Sequence, residues 1–108
     1  MTAAAPVTLP RPHLAALAVA NALHALARQP SPVTLSVARV SLGTVLDVWA
    51  GSGPIATRAR SQRGALESLE TLPPARDLSM WANEWHVLAG ALAARVGARL
   101  PAGTVTVR

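Results

Sequence analysis

The side chains able to do chemistry are few: five carboxylates (Asp47, Glu67, Glu70, Asp77, Glu84), three histidines (His13, His24, His86) and ten arginines, with no cysteine or lysine. Without cysteine there is no thiolate nucleophile, disulfide or thiolate-bound zinc. His13 and His24 share a helix face but stand eleven residues apart. That is about 16 Å along the axis, too far to grip one ion. Glu84 and His86, two positions apart, project roughly 160° from each other on a helix and form no acid-base pair. No nucleophile elbow, HExxH pair or acidic loop is present. The residues predict a protein that is not an enzyme, with no catalytic residue, no metal site and no cofactor.

Two groups of residues suggest binding instead. Gly51-Ser52-Gly53 precedes a helical segment, and exposed amides at a helix start attract anions, with Arg58, Arg60 and Arg63 adding charge. The segment lacks the lysine and the terminal Ser/Thr of a phosphate-cradling loop, so turn and cap is the plainer reading of Ser52 and Gly53. The same arginines could follow a nucleic-acid backbone, which needs convergent cations rather than a motif. A net charge of +5 and a sequence pI near 11.8 favour that use. Arginine in place of all lysine, with abundant alanine, glycine and proline, also suits a GC-rich coding genome, which gives the charge a mutational origin. Glu67 and Glu70 neutralise part of the cluster. Val45-Leu46-Asp47-Val48-Trp49 is too apolar to read base edges.

Several elements must position these residues. Residues 1–12 form a proline-rich arm, and 13–108 one domain. Pro12 suits a first helical turn, and the alanines and leucines through Arg28 are strong helix formers. His13, Asn21, His24 and Arg28 fall on one narrow stripe, leaving the rest of this helix apolar and buried on most sides. The two isolated histidines are expected to face solvent. Pro30 and Pro32 stop the helix.

Val33-Thr34-Leu35-Ser36-Val37 alternates strictly, Val45 to Trp49 is rich in strand-forming residues, and Gly43 between them is the natural turn. A hairpin over 33–50 follows. It would put Val33, Leu35, Val37, Leu46, Val48 and Ala50 on an apolar face and Thr34, Ser36, Asp47 and Trp49 on a mixed one. Arg39 sits badly in that register. A second helix runs from Pro54 to about Leu72, with an apolar stripe of Ile55, Ala59, Leu66 and Leu69. A third, capped by Asp77 or Ser79, reaches roughly Arg99 and carries Trp81, Trp85, Leu88, Leu92 and Val96, with the two tryptophans as core anchors. Thr104 to Val107 alternates as a terminal strand that joins the hairpin. The predicted fold is α+β, a small antiparallel sheet against three helices in the order α-β-β-α-α-β.

With 51% hydrophobic and only 14% charged residues, polar surface is scarce, so burial against a second copy or another protein is expected. Trp49, with Thr34 and Ser36 beside it on the mixed face, is the candidate interface. A self-associating assembly module is the leading reading, and a small basic nucleic-acid binder using Arg58 to Arg63 the alternative. The apolar run from Leu14 to Ala27 ends in an Ala-Leu-Ala resembling a signal-peptide cleavage site, but Asn21 and His24 interrupt it and it is too short for a membrane span. Cytoplasm is the default location.

Overall fold

A computed structural model describes residues 10–100. These residues fold into four helices: α1 Pro12–Arg28, α2 Pro32–Val48, α3 Gly53–Ala65 and α4 Ala75–Arg95, with a short 3-10 turn at Leu69–Thr71. Among the described residues there is no strand, which overturns the α+β expectation. The strand foreseen over Thr104 to Val107 and most of the N-terminal arm lie outside the described residues.

The hairpin is where the two readings part, and local chemistry explains why α2 forms instead. Ser31 and Thr34 make a reciprocal capping box: Thr34 N–H donates to Ser31 Oγ at 3.1 Å, and Ser31 N–H donates to Thr34 Oγ1 at 2.9 Å. Pro32 occupies the first turn, where its missing N–H costs nothing. Beyond it, Leu35, Ala38, Leu42, Val45, Leu46 and Trp49 recur at three- and four-residue steps. Ala38, Leu42 and Val45 are fully buried on that stripe. The dislike of valine for helices amounts to a few tenths of a kcal/mol per residue, roughly a tenth of what burying a leucine returns. Burial along α2 therefore wins over the five-residue alternation.

Trp49 caps α2, Ala50 follows at φ 51, and Gly51 N–H donates to Leu46 O at 2.8 Å while Ala50 N–H donates to Asp47 O at 3.0 Å. This is a Schellman ending with alanine in the left-handed position that glycine ordinarily takes. α4 ends the same way with glycine there: Gly97 lies at φ 65, and Ala98 N–H donates to Ala93 O at 2.9 Å. The helix accordingly stops at Arg95, short of the expected Arg99.

α1 is central, packing against α4 and α2, while α3 packs on α2. Eight of its apolar side chains, Ala15 through Leu26, are buried, as its composition required. The face of α4 turned inward is Leu78, Ala82, Trp85, Ala89 and Ala93, so the wall between α1 and α4 is built mainly of alanines that let the helices approach closely. Trp81, Leu88 and Leu92 flank that wall, partly buried. Trp85 is fully enclosed, and its Nε1–H donates at 2.7 Å to Oε1 of Gln62, itself buried on α3. That bond ties α3 to α4.

The second predicted helix ends seven residues early, at Ala65. Arg39 supplies a reason: its Nη1 donates to Leu66 O at 2.7 Å and to Arg63 O at 3.4 Å, satisfying carbonyls at the end of α3 and opposing its dipole. The residue that sat badly in the hairpin register is the C-terminal cap of its neighbour.

Candidate functional site

The structure separates the three arginines of the basic cluster. Arg58 turns toward α4, where Nη1 lies 3.9 Å from Glu84 Oε2 with both side chains about half exposed. Arg60 turns the other way, donating through Nη2 to Gly51 O at 2.8 Å. The Arg63 guanidinium lies over Gly43 of α2, about 3.7 Å from where a Cβ there would stand. Successive steps of 100° account for this divergence, since Arg58 and Arg60 point some 160° apart. Glu67 and Glu70, expected to neutralise the cluster along one helix, fall beyond the end of α3.

Gly51-Ser52-Gly53 is the turn between α2 and α3. Ser52 stands at the cap position without a side-chain cap bond, and its Oγ–H donates back to Trp49 O at 3.3 Å. Gly53 at φ 88 adopts a conformation only glycine takes easily. Pro54 at the second helical position removes one of the amides an anion would need.

The expected interface residues do not share a face. Thr34 is committed to the α2 cap, and its Oγ1–H reaches Gln29 O at 2.9 Å. Ser36 is exposed on α2, and Trp49 is half-buried and packed against the core. The mixed hairpin face that was to unite them does not exist. The apolar first helix, the other reason for expecting a partner, is covered within the chain by α2 and α4. His13, expected to face solvent, is only 5% exposed, while Asn21 and His24 are half-buried. Among the described residues, no three His, Asp or Glu side chains come together to hold a metal ion. No helix there is long and apolar enough to cross a membrane.

What the sequence reading missed is the outer side of α2. Val33, Val37 and Val40 are 71%, 50% and 64% exposed. At helical spacing they form one stripe that continues through Thr44 to Asp47. Leu69, 39% exposed, stands beside it, sharing with Pro32, Ser36, Arg39, Val40 and Arg63 a shallow cleft of about 330 Å³. The signal was present in the 33/37/40/44 spacing, but Val33 and Val37 also agree with a period of two, so the strand reading absorbed them. A second open apolar group, Met80 and Val87 on α4, borders a groove that also contains Arg58 and Glu84.

Compared with family models, with curated proteins and with solved structures, the chain has no match.

Proposed function

We propose that this protein is a non-catalytic assembly module that self-associates through the outer face of α2. The observation that carries the reading is the exposed valine stripe. A surface helix ordinarily turns charged and polar residues outward, and α2 turns Val33, Val37 and Val40. Arg39, the one cation of α2, is bound to carbonyls of α3 and its immediate neighbour, and Asp47 stands at the far end. From Val33 to Thr44 the stripe itself carries no charged side chain, and Arg39 and Arg63 line the cleft on its α3 side. The uncharged stripe matters in a chain of net charge +5, because copies of like charge approach most easily where neither presents charge. Nucleic-acid binding draws less support, since the three arginines diverge and two are tied to protein groups.

The experiment is mass by light scattering over a concentration series for the native chain and for Val37→Glu and Val40→Glu, with far-UV circular dichroism as a control on folding. The native chain is expected to be oligomeric and both variants monomeric, each with native helix content. A native chain that stays monomeric at the highest concentration reached, or variants that associate as it does, would overturn the proposal. Association appearing only on adding duplex DNA would favour the basic-binder alternative instead.

A further inference from the structure

The α2 stripe has a polarity of its own. From its N-terminal end it reads Val33, Val37, Val40, Thr44, Asp47, apolar first and acidic last. Just before α2 begins, Arg28 ends α1, exposed, on the rim of a cleft it shares with Asn21, His24, Gln29 and Thr34. Neither Asp47 nor Arg28 has an ion-pair partner among the described residues, where the pairs formed are Arg58 with Glu84 and Arg76 with Asp77. Asp47 closes the stripe at its C-terminal end and Arg28 stands at the end of α1, four residues before α2 begins, so a carboxylate and a guanidinium without partners come near each other only in a copy running the opposite way.

Resting on the self-association reading, we infer that two copies pair α2 against α2 in antiparallel, isologous fashion, with the two-fold axis between Val37 and Val40. In this register Val37 of one copy meets Val40 of the other, and Val33 meets Thr44. Asp47 then falls opposite residue 30 of the second copy, beside the start of its α2 and its Arg28. Two things favour Asp47 there: the positive end of the second copy's α2 dipole and the guanidinium. A parallel pair would instead set Asp47 against Asp47. Two-fold symmetry makes each favourable contact twice.

The area is consistent with a contact of this kind. Val33, Val37, Val40 and Leu69, at their observed exposures, leave roughly 350 Å² of apolar surface open per copy, within the ordinary range of a functional patch. With Pro32, Ser36 and Thr44 at the rim the buried total for two copies comes to roughly 1,000 Å², the lower bound for a specific interface. A contact of that size belongs to a reversible dimer, and at that size the end charges decide the direction.

The absence of native cysteine makes the direction readable by cross-linking. Val33→Cys and Thr44→Cys chains are prepared separately, then oxidised alone and as an equimolar mixture. Antiparallel pairing predicts a disulfide-linked dimer chiefly in the mixture, joining one variant to the other, with little from either alone. Within one chain the two positions are about 16 Å apart along the helix, beyond disulfide reach. Self-linked dimers of Val33→Cys alone would show parallel pairing and overturn the inference while leaving self-association standing. An oligomer that cross-links in no combination would place the interface elsewhere. Charge exchange gives a second readout: Asp47→Arg and Arg28→Glu should each weaken dimerisation several-fold, and the double variant should restore it. A double variant weaker than both single ones would refute the pairing.

Discussion

Replacing Gly43 with alanine separates a helical α2 from a hairpin by the sign of one stability change. In α2, Gly43 lies mid-helix and outside the left-handed backbone region, which among glycines is occupied by Gly51, Gly53 and Gly97. An added Cβ would meet the Arg63 guanidinium at 3.7–3.9 Å, ordinary van der Waals contact that requires nothing to move. The gain is then the intrinsic preference of alanine over glycine within a helix, about 0.5–1 kcal/mol. For a domain of this size that raises the melting temperature by about 2–8 °C. In a two-residue hairpin turn the same glycine would occupy the left-handed region, and alanine would cost about 1 kcal/mol or more. Urea unfolding followed by far-UV circular dichroism measures the difference. Gly90→Ala on α4, where nothing lies within 4 Å of the added carbon, is the matched control and should gain a similar amount. If Gly43→Ala destabilises while Gly90→Ala stabilises, and the loss persists with Arg63 also changed to alanine, a helical α2 is refuted.

Other substitutions test the ends and the interior. Ala50→Gly should stabilise by about 0.5–1 kcal/mol by relieving the left-handed alanine at the end of α2, and Gly97→Ala should lose about 1 kcal/mol at the equivalent place on α4; both are read from denaturant midpoints. Gln62→Ala leaves Trp85 Nε1–H enclosed without an acceptor and should cost about 1–3 kcal/mol, with a change in tryptophan fluorescence. An unchanged midpoint would mean that the indole finds another partner.

The sequence revealed α1 well because every cue there agreed: Pro12 at the start, proline after the end, and alanines and leucines between, whose helical preference matches their burial. α3 began where Ser52-Gly53-Pro54 announced it, but its end was invisible. It depends on Arg39, which donates to α3 carbonyls from 24 and 27 positions away in the chain. In α4 the large residues pointed correctly to Trp85 but also to Trp81 and Leu88, which are only partly buried, whereas the rest of the inward face is Leu78, Ala82, Ala89 and Ala93, its alanines too small to stand out in a pattern of hydrophobicity. α2 was misread because valine serves two structures. Its deciding cues were the Ser31-Pro32-Val33-Thr34 cap and the step from Leu35 to Ala38 to Leu42, neither compatible with a strand over 33–37. The candidate site failed with it, since Trp49, Thr34 and Ser36 were grouped by a pleat that never forms.

The misreading and the proposed function have a common source. Valines on the outer face of a helix lower its intrinsic stability, and a helix selected only to complete this fold would do better there with glutamate, lysine or arginine. Val37→Glu and Val40→Glu are therefore expected to act with opposite signs on two properties. Each should leave the monomer as stable or more stable by a few tenths of a kcal/mol, through better helix preference and relief of exposed apolar surface. Each should abolish association. Most substitutions that disrupt an assembly also weaken its subunit, so this combination distinguishes a face kept for contact from one kept for folding. Denaturant unfolding at a concentration where the native chain is monomeric, set beside light scattering at a high one, measures both. If the glutamates weaken the isolated fold by 1 kcal/mol or more, the valines serve the interior of the subunit, and the outer face of α2 loses its claim as an interface.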